Sequence, residues 1–430
     1  MAMDMEEDDS SSSLQVLLLS LQEQANAATF IVNAAAAATA SLNVVLMIED
    51  DPERRRTYPF DIRLNWELWS GRHRNRVEFI RFIRMTPESF DKLLGILRPY
   101  LEKDSAQAAR RGGEITPEIS LFLSIRWLSG GSYLDIKYFS GISSTAFYDN
   151  LWRCLMAICL CPDEELSISF PKTEEECIQS ATEFTLLSTR GCINRCVGVV
   201  DGYLLEINTP PKDAVDNVST YYSGHYQCHG LNIQACCDSK CRFTFLALAG
   251  PGQMGDKDAI KACKLDQLIE NLPGRFFVGG DCAYPTTNKL VAVVGGPDAL
   301  TPRYDNFNYF LSQLRIRIEM AFGLMVKKWG ILQRPIDIAP ANWGWLIGAI
   351  GKLHNFCINE RLSKNPNSSF RQDEVELDAM TQAIRVLAAE AEYEDMGLAV
   401  GFSECREEMV NNIQRMGLTR PSRNRINRSS

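Results

Sequence analysis

The stretch VGVVDGYLLEI, residues 197–207, decides the fold, because it places apolar side chains on both faces of a β-strand. Successive side chains of a strand point to opposite faces, so Val199 and Val200 face opposite sides. A strand that is apolar on both faces is typical of the centre of a sheet covered on both sides. Asp201 stands in the middle of this strand. An ionised carboxylate buried there is unfavourable by several kcal/mol unless a cation, a basic group or hydrogen bonds compensate it.

Further predicted strands and a helix follow this one along the chain. The patterns of GLNIQACCD (230–238) and CRFTFLALAG (241–250) predict two strands. The short connection between them indicates a hairpin. Residues 256–272 favour a helix, and RFFVGGD (275–281) predicts a fourth strand. This order of strands and helices predicts a mixed α/β fold.

Two more acidic residues stand at positions that indicate a functional site. Asp281 ends the fourth strand, and the carboxyl ends of strands in α/β sheets are favoured places for ligands. Glu319 belongs to a predicted helix in FNYFLSQLRIRIEMAFGLMVKKW (307–329). It lies about 100° around the helix from Ile318, at the edge of an apolar stripe. Arg315 precedes it by one helical turn, so we expect Glu319 to face the seam between helix and sheet beside a cation.

Each of these carboxylates has an ordinary structural explanation when it is taken alone. Asp201 would accept backbone hydrogen bonds, Asp281 would cap a turn, and Glu319 would pair with Arg315. Taken together they predict a cluster in which like charges repel unless a divalent ion holds them. Oxygen ligands suit Mg²⁺ or Mn²⁺. Two such ions activate water and stabilise the leaving oxygen in phosphodiester cleavage.

Several motifs of the chain resemble those of the Harbinger class of DDE transposases and the nucleases derived from them. The matching motifs are VVDGYLLEI (199–207), GGDCAYP (279–285), the helix 307–329 and HNFCINERL (354–362), the last similar to the family's closing His-Asn motif. The resemblance covers about residues 195–362. It implies a ribonuclease-H-like mixed sheet flanked by helices over 190–362, preceded by a mostly helical N-terminal region. It also implies that Asp201, Asp281 and Glu319 are the catalytic triad and bind two divalent ions, Mg²⁺ or Mn²⁺.

One motif departs from the family pattern. PGQMGD (251–256) has Gly255 where relatives often have a histidine, but it keeps an aspartate next to that position. Asp256 is therefore a candidate for an additional metal ligand. At position 255 the chain has no histidine to take the role of the family's histidine.

The resemblance implies an endonuclease or transposase that cleaves, and in a later step joins, double-stranded DNA. Arg315, Lys327 and Lys328 are the candidate phosphate contacts on the helix. Harbinger-like systems commonly use a separate Myb-like protein for DNA binding and nuclear entry, so we expect such a partner and a nuclear location, with the cytoplasm as a second one. A homodimer remains open. The alternative is a domesticated host protein that binds DNA or a protein partner without nuclease activity.

The remaining segments are less informative. Residues 1–52 predict an acidic, disordered start and an Ala-rich helix. Residues 53–189 predict a helical region, in which 132–160 fits a helix-turn-helix and an ordinary helical hairpin equally well. Residues 363–430 predict a peripheral acidic helix and a basic tail.

Charge and cysteine content restrict the class of protein. The net charge of −9 argues against a protein that coats nucleic acid over its whole surface. The arginine-rich segment 54–84, interleaved with aromatic residues such as Trp66 and Trp69, favours local phosphate contacts. The fourteen cysteines do not have the spacing of a zinc finger, and we expect a reducing compartment. The uncharged segment 27–48 is long enough to span a bilayer, but its Ala-rich composition favours a packing helix without membrane insertion.

Overall fold

A computed structural model describes residues 63–75, 77–102, 115–364 and 403–421. The predictions for residues 1–52, including the Ala-rich helix, lie outside these residues. The acidic part of 363–430 lies outside them as well. Within the described ranges, the structure contains no helix that is both long enough and apolar enough to cross a membrane.

The centre of the protein is a mixed β-sheet. Its strands are β1 (Cys196–Glu206), β2 (Tyr222–Ser223), β3 (Cys228–Cys237), β4 (Phe243–Pro251), β5 (Phe277–Gly280) and β6 (Leu290–Ala292). Strand β1 lies between β3, which is antiparallel to it, and β5, which is parallel. Strand β4 is antiparallel to β3, β6 is parallel to β5, and β2 pairs with the first residues of β3. The prediction that the first strand is central and covered on both faces is thus confirmed.

Helices precede the sheet, cover both of its faces and follow it. In chain order they are α1 (Trp66–His73), α2 (Val77–Ile83), α3 (Pro87–Leu101), α4 (Pro117–Leu128), α5 (Tyr133–Ser140), α6 (Ser144–Leu160), α7 (Glu174–Leu187), α8 (Asp256–Ala262), α9 (Leu265–Glu270), α10 (Pro302–Lys328), α11 (Trp343–Lys364) and α12 (Glu404–Arg415). Buried residues of α10 and α11 form one apolar core with one face of the sheet, and residues of α7, α8 and α9 form a second core with the other face.

Sequence signals at helix ends explain where several of these helices begin. Thr86 and Thr116 cap α3 and α4 with their side-chain oxygens, and a proline follows each cap. The predicted helix over 256–272 is wrong in one respect: it is two helices, because Lys264 takes a left-handed conformation with φ of 60° between them. The short strands β2 and β6 were not predicted from the sequence.

The N-terminal helices are held together by an aromatic core. The ring centroid of Trp69 lies 4.4 Å from that of Phe122, and the ring of Phe82 lies 5.7 Å from the same residue. Trp66 packs against Phe122 as well, with centroids 5.3 Å apart. The aromatic residues that alternate with arginines in segment 54–84 therefore stabilise this core. Phosphate contacts by the arginines between these aromatic residues stay a prediction.

Helices α5 and α6 form the predicted pair with a tight turn. Gly141 takes a left-handed conformation with φ of 65° and ends α5. Ser143 caps α6 by accepting a hydrogen bond from the backbone N–H of Ala146 at 3.2 Å. Phe147 and Leu151 of α6 are buried in the core. The geometry is that of two helices joined by a short turn, and DNA binding by α6 stays a prediction.

Helix α12 returns to the α/β core after a long intervening segment. Its residues Met409, Val410 and Ile413 are buried. Glu407 accepts a hydrogen bond from Arg303 Nη2 at 2.6 Å, which ties α12 to the start of α10. Glu408 pairs with Arg195, the residue before β1, at 3.0 Å. Apolar burial and ion pairs together fix this helix to the core.

The His-Asn motif of α11 fastens the β3–β4 hairpin. The side chain of Asn355 accepts a hydrogen bond from the backbone N–H of Phe243 at 2.8 Å and donates to its carbonyl at 2.8 Å. The same amide donates to the carbonyl of Ser167 at 3.0 Å. His354 Nε2 lies 2.8 Å from the carbonyl oxygen of Cys241, in the turn of the hairpin. This motif therefore has a structural role in the fold.

Burial of His354 predicts a specific loss of stability in acid. Burial lowers the pKa of His354 to about 4, whereas the unfolded chain takes up this proton near its ordinary value of 6.5. Above pH 6.5 the neutral His354 therefore does not reduce the free energy of unfolding. That free energy falls as the pH falls from 6.5 towards 4. We expect a loss of up to about 3 kcal/mol in the free energy of unfolding across that window.

Urea denaturation between pH 7 and pH 4 measures this loss. The variant His354→Gln keeps an amide donor for Cys241 and removes the titration, so its unfolding free energy should change less with pH. The exposed His225→Gln is the control and should follow the wild type. An unchanged pH dependence in His354→Gln would contradict the assignment.

Candidate active site

Asp201 and Asp281 lie side by side on one face of the sheet. Val199 of β1 is the partner of Gly279 in β5, and continuing this parallel register by two residues brings Asp281 beside Asp201. Residues two positions apart in a strand face the same side. A Cβ added at Gly279 would lie 3.3 Å from Leu311 of α10, so this side is the face that α10 covers. The structure thus brings together two aspartates that are 80 positions apart in the sequence.

Helix α10 brings Arg315 and Glu319 to the same face. Arg315 is buried, with 6% of its surface exposed, and its Nη2 lies 4.0 Å from Asp201 Oδ2. Glu319 lies one turn further along the helix and interacts electrostatically with Asp201. Tyr203, two residues after Asp201, stacks on Phe322 of the same helix at 5.2 Å. The predicted seam between helix and sheet therefore contains both the carboxylates and a cation.

The environment of Asp201 opposes its ionisation. Its side chain retains 22% of its accessible surface and accepts a hydrogen bond from the backbone N–H of Gly202 at 2.9 Å. Burial raises the pKa of Asp201 well above its ordinary value, and the negative charges of Asp281, Asp256 and Glu319 raise it further. The positive charge of Arg315 acts in the opposite direction. One arginine does not compensate three acidic neighbours, so the ionised site requires more positive charge.

Asp256 approaches β1 from the opposite face of the sheet. Gln234 of β3 is the partner of Gly202, so both face away from Asp201. Gln234 Nε2 donates a hydrogen bond to Asp256 Oδ1 at 2.8 Å. Burial raises the pKa of Asp256, Asp281 raises it further, and hydrogen bonds from Gln234 and Asn232 lower it. Asp256 therefore contributes charge to the site while its oxygen is held by amides on the other side of β1.

Tyr284 completes the polar network beneath the sheet, and the sequence analysis did not assign it a role. Its hydroxyl donates a hydrogen bond to Gln234 Oε1 at 2.6 Å, and the residue is fully buried. Tyr284 belongs to the quoted motif GGDCAYP, so the motif itself was the available signal. Gln234 had no signal, because its position opposite Gly202 depends on the strand register.

The two lysines predicted as phosphate contacts lie far from Arg315. Lys327 and Lys328 end α10, about 18 Å along the helix axis from Arg315 at 1.5 Å per residue. Lys327 is exposed, and its carbonyl accepts a hydrogen bond from Arg84 at 3.0 Å. Lys328 lies against Cys357 of α11, where its charge counteracts the rise that burial causes in the pKa of this thiol. Their contact with DNA stays a prediction.

The donor set fits a hard divalent cation by its chemistry. Across the part of the chain that the structure describes, His, Cys, Asp and Glu side chains nowhere gather in threes closely enough to hold a metal ion. Asp201 is nevertheless a buried carboxylate whose ionised form three acidic neighbours disfavour. Carboxylate oxygens are the ligands that Mg²⁺ and Mn²⁺ prefer, and a cation there would reverse the repulsion. All fourteen cysteines are free thiols.

A comparison with protein families finds a match over the region that contains these carboxylates. Residues 200–355 match the family model described as DDE superfamily endonuclease. The matched region includes Asp201, Asp281 and Glu319 and covers just over a third of the 430 residues. No curated protein and no solved structure matches the chain significantly. The part of the chain that contains the carboxylate site is therefore similar to nucleases of the DDE superfamily.

The repulsion around Asp201 predicts that a divalent ion stabilises the folded protein. In chelator, Asp201→Asn should raise the free energy of unfolding, because it removes a carboxylate that the fold holds unfavourably. Adding Mn²⁺ at a hundredfold excess over its dissociation constant should stabilise the wild type by about 2.7 kcal/mol. The melting temperature with and without Mn²⁺ measures both effects.

The exposed Asp298→Asn is the matched control for this experiment and should respond to Mn²⁺ as the wild type does. If Mn²⁺ stabilises the Asp201→Asn variant as much as the wild type, then Asp201 does not bind the ion.

The close approach of Asp256 to β1 predicts that Gly202 tolerates no side chain. A Cβ at Gly202 would overlap Asp256 Oδ1 and would lie 3.1 Å from Gln234 Nε2. Gly202→Ala should therefore lower the free energy of unfolding by about 1–3 kcal/mol. The variant Gly95→Ala, on an exposed part of α3 with open space around it, should be neutral or slightly stabilising.

A double-mutant cycle identifies the cause of this loss. Gly202→Ala should lower stability much less in an Asp256→Ala background, because the opposing carboxylate is then gone. Equal losses in both backgrounds would mean that the overlap with Asp256 is not the reason.

Proposed function

We propose that residues 190–362 form the ribonuclease-H-like catalytic domain of a metal-dependent DNA endonuclease of the Harbinger transposase class. The directions of the strands support this proposal: three antiparallel strands, β1, β3 and β4, are continued by the parallel strands β5 and β6. The match of residues 200–355 to DDE superfamily endonucleases supports it independently. The observation that carries the proposal is the position of Asp201, which lies among acidic residues from the end of β5, from α8 and from α10.

In this proposal Asp201, Asp281 and Glu319 hold two divalent ions, Mg²⁺ or Mn²⁺. The ions supply activation of the attacking water or DNA 3′-hydroxyl and stabilisation of the leaving oxygen. Asp201 would contribute its carboxylate from the central strand. Asp256 supports this arrangement from the opposite face, held by Gln234.

Arg315 has two roles in the proposed mechanism. Its buried guanidinium reduces the repulsion around Asp201, and it steadies the phosphate oxygens of the scissile strand. Lys327 and Lys328 contact the DNA backbone further along α10. Neutralising several phosphates in this way makes binding dependent on salt concentration.

The substrate in this proposal is double-stranded DNA, and the protein acts in the nucleus. The helical region before residue 190 holds DNA or a second copy of the chain. The turn between α5 and α6 and the arginines of segment 54–84 are the parts of that region with the chemistry for phosphate contacts. A Myb-like partner supplies additional DNA binding.

A nicking assay on supercoiled DNA tests the proposed function. The wild type should nick DNA in Mn²⁺ or Mg²⁺, and a chelator should abolish the reaction. Asp281→Asn and Glu319→Gln should each lower the nicking rate by about 100-fold or more, because each removes charge that the transition state requires. Asp298→Asn is the control and should keep the wild-type rate.

The same assay distinguishes the nuclease from a domesticated binding protein. Wild-type protein that binds DNA equally well in chelator, and nicks no better than Asp281→Asn when DNA ends and a partner are supplied, would overturn the nuclease proposal. It would favour a protein that binds DNA without cutting it.

A further inference from the structure

The arginine cleft, lined by Arg195, Arg275 and Arg415, lies at the edge of the sheet where β1 and β5 begin. Arg195 immediately precedes β1, and Arg275 lies two residues before β5. The two strands are parallel, so both start at this edge. Helix α12 contributes Glu408, Asn412 and Arg415 to the lining. The cleft has a volume of about 660 Å³, which is within the range of small-molecule sites in proteins.

One carboxylate is present among three guanidinium groups in the arginine cleft. Arg195 Nη2 donates a hydrogen bond to Glu408 Oε2 at 3.0 Å, and Arg275 Nη1 donates one to Glu408 Oε1 at 2.6 Å. Arg415 is exposed, and its guanidinium has no hydrogen-bond or ion-pair partner among the residues that the structure describes. Three positive charges and one negative charge leave an excess of two positive charges in the lining. The cleft is therefore a local positive surface on a chain whose net charge is −9.

Much of the hydrogen-bonding capacity of these arginines remains for a ligand. A guanidinium has five N–H donors. Within the described ranges, Glu408 takes one donor of Arg195 and one of Arg275, and Asn194 accepts a bond from Arg195 Nε at 3.3 Å. The side chain of Arg275 is 72% exposed. The other donors can thus contact a ligand without displacing Glu408.

The docking of α12 accounts for two of these arginines and not for the third. Apolar residues of α12 are buried in the core, and Glu408 pairs with Arg195 and Arg275. Arg415 forms no such pair with any described residue, although it lines the same cleft. Arginines that converge on one space in excess of the acidic groups there are typical of an anion site.

Phosphate is the anion that the charge of the lining favours. The planar fork of a guanidinium donates two parallel hydrogen bonds to phosphate or carboxylate oxygens. A phosphate monoester carries about two negative charges at neutral pH, which equals the excess in the lining. A single carboxylate would leave one positive charge uncompensated. The balance of charge therefore favours phosphate over a monocarboxylate.

The arginine cleft is separate from the acidic residues around Asp201. Asp201 stands six residues after Arg195, about 20 Å along β1 at 3.3 Å per residue. Asp281 follows the opposite end of β5. A phosphate group in the cleft therefore does not reach the carboxylates, and its binding can be measured without a divalent ion.

We propose that the arginine cleft binds a phosphate group through the guanidiniums of Arg195, Arg275 and Arg415. The inference goes beyond the proposed nuclease function and does not rest on it, because none of the candidate metal ligands lines the cleft. A free phosphate compound, such as a nucleotide, and a DNA strand both present this group. Glu408 limits the affinity, because its negative charge repels the ligand.

Isothermal titration calorimetry of the full chain with inorganic phosphate, in metal-free buffer at constant ionic strength, tests the proposal. Arg275→Gln and Arg415→Gln should each weaken phosphate binding by about 10-fold, the effect of one lost hydrogen bond between charged groups. Glu408→Gln should strengthen it several-fold, because a competing negative charge is removed. Arg334→Gln, exposed and outside the cleft, is the matched control and should bind phosphate as the wild type does.

The melting temperature of each variant excludes an effect of unfolding. Arg415 has no polar partner among the described residues, so Arg415→Gln should melt at the wild-type temperature and still bind phosphate more weakly.

Two further titrations determine the specificity and the source of the phosphate. Acetate should bind much more weakly than phosphate, and equal affinities would overturn the assignment to phosphate. A short DNA duplex that displaces phosphate from the wild type supports the proposal with a DNA strand as the source. A duplex that leaves phosphate bound supports it with a free phosphate compound as the source.

Two results would overturn the proposal whatever the nicking assay shows. The first is a wild type that does not bind phosphate. The second is phosphate binding that Arg275→Gln and Arg415→Gln both leave at the wild-type affinity, because the ligand then lies outside the arginine cleft.

Discussion

The burial of Asp201 in the central strand is the constraint on which the rest of the site depends. A carboxylate at this position is desolvated and faces the charges of Asp281, Asp256 and Glu319. The apolar residues around Asp201 stabilise the sheet, whereas its ionised carboxylate destabilises it. Proteins keep such a group where it has a chemical task, because perturbed ionisation is concentrated at functional sites. The fold therefore holds unfavourable electrostatic energy at Asp201.

The two faces of β1 carry different parts of the site. On the α10 face, Asp201 and Asp281 lie beside Arg315. On the other face, Gln234 joins Tyr284 to Asp256 in a buried network of hydrogen bonds. Networks of this kind fix side chains in one arrangement. Gly202 has no side chain, so Asp256 approaches β1 closely at this position. This glycine therefore connects the hydrogen-bond network to the strand that carries Asp201.

The sequence was sufficient for the parts of the site that depend on local pattern. The apolar faces of residues 197–207 predicted a central strand, and the stripe around Ile318 predicted the buried face of α10. Both predictions hold in the structure. The motifs also identified Asp201, Asp281 and Glu319 as a set before any spatial information was available. Their proximity follows from strand order, which a single sequence does not state.

What could not be predicted depends on tertiary structure. Strand β6 has only three residues, too few for a periodic pattern, and exists because it pairs with β5. The left-handed residue Lys264 divides a segment whose composition favours one continuous helix. The docking of α12 depends on arginines that are distant in sequence. In each case a contact between remote residues overrides the local preference.

The distance between Arg315 and Asp201 limits how far the arginine compensates the negative charge around Asp201. At 4.0 Å the guanidinium is too far for a short hydrogen-bonded ion pair but near enough to reduce the repulsion. A short bidentate pair would lower the pKa of Asp201 and occupy its oxygens. The longer distance leaves the pKa raised, which means that the site remains deficient in positive charge. Because Arg315 is buried on α10 and Glu319 lies one turn away, the same helix supplies both the partial compensation and a third carboxylate. The helix thus contributes charges of both signs to the surroundings of Asp201.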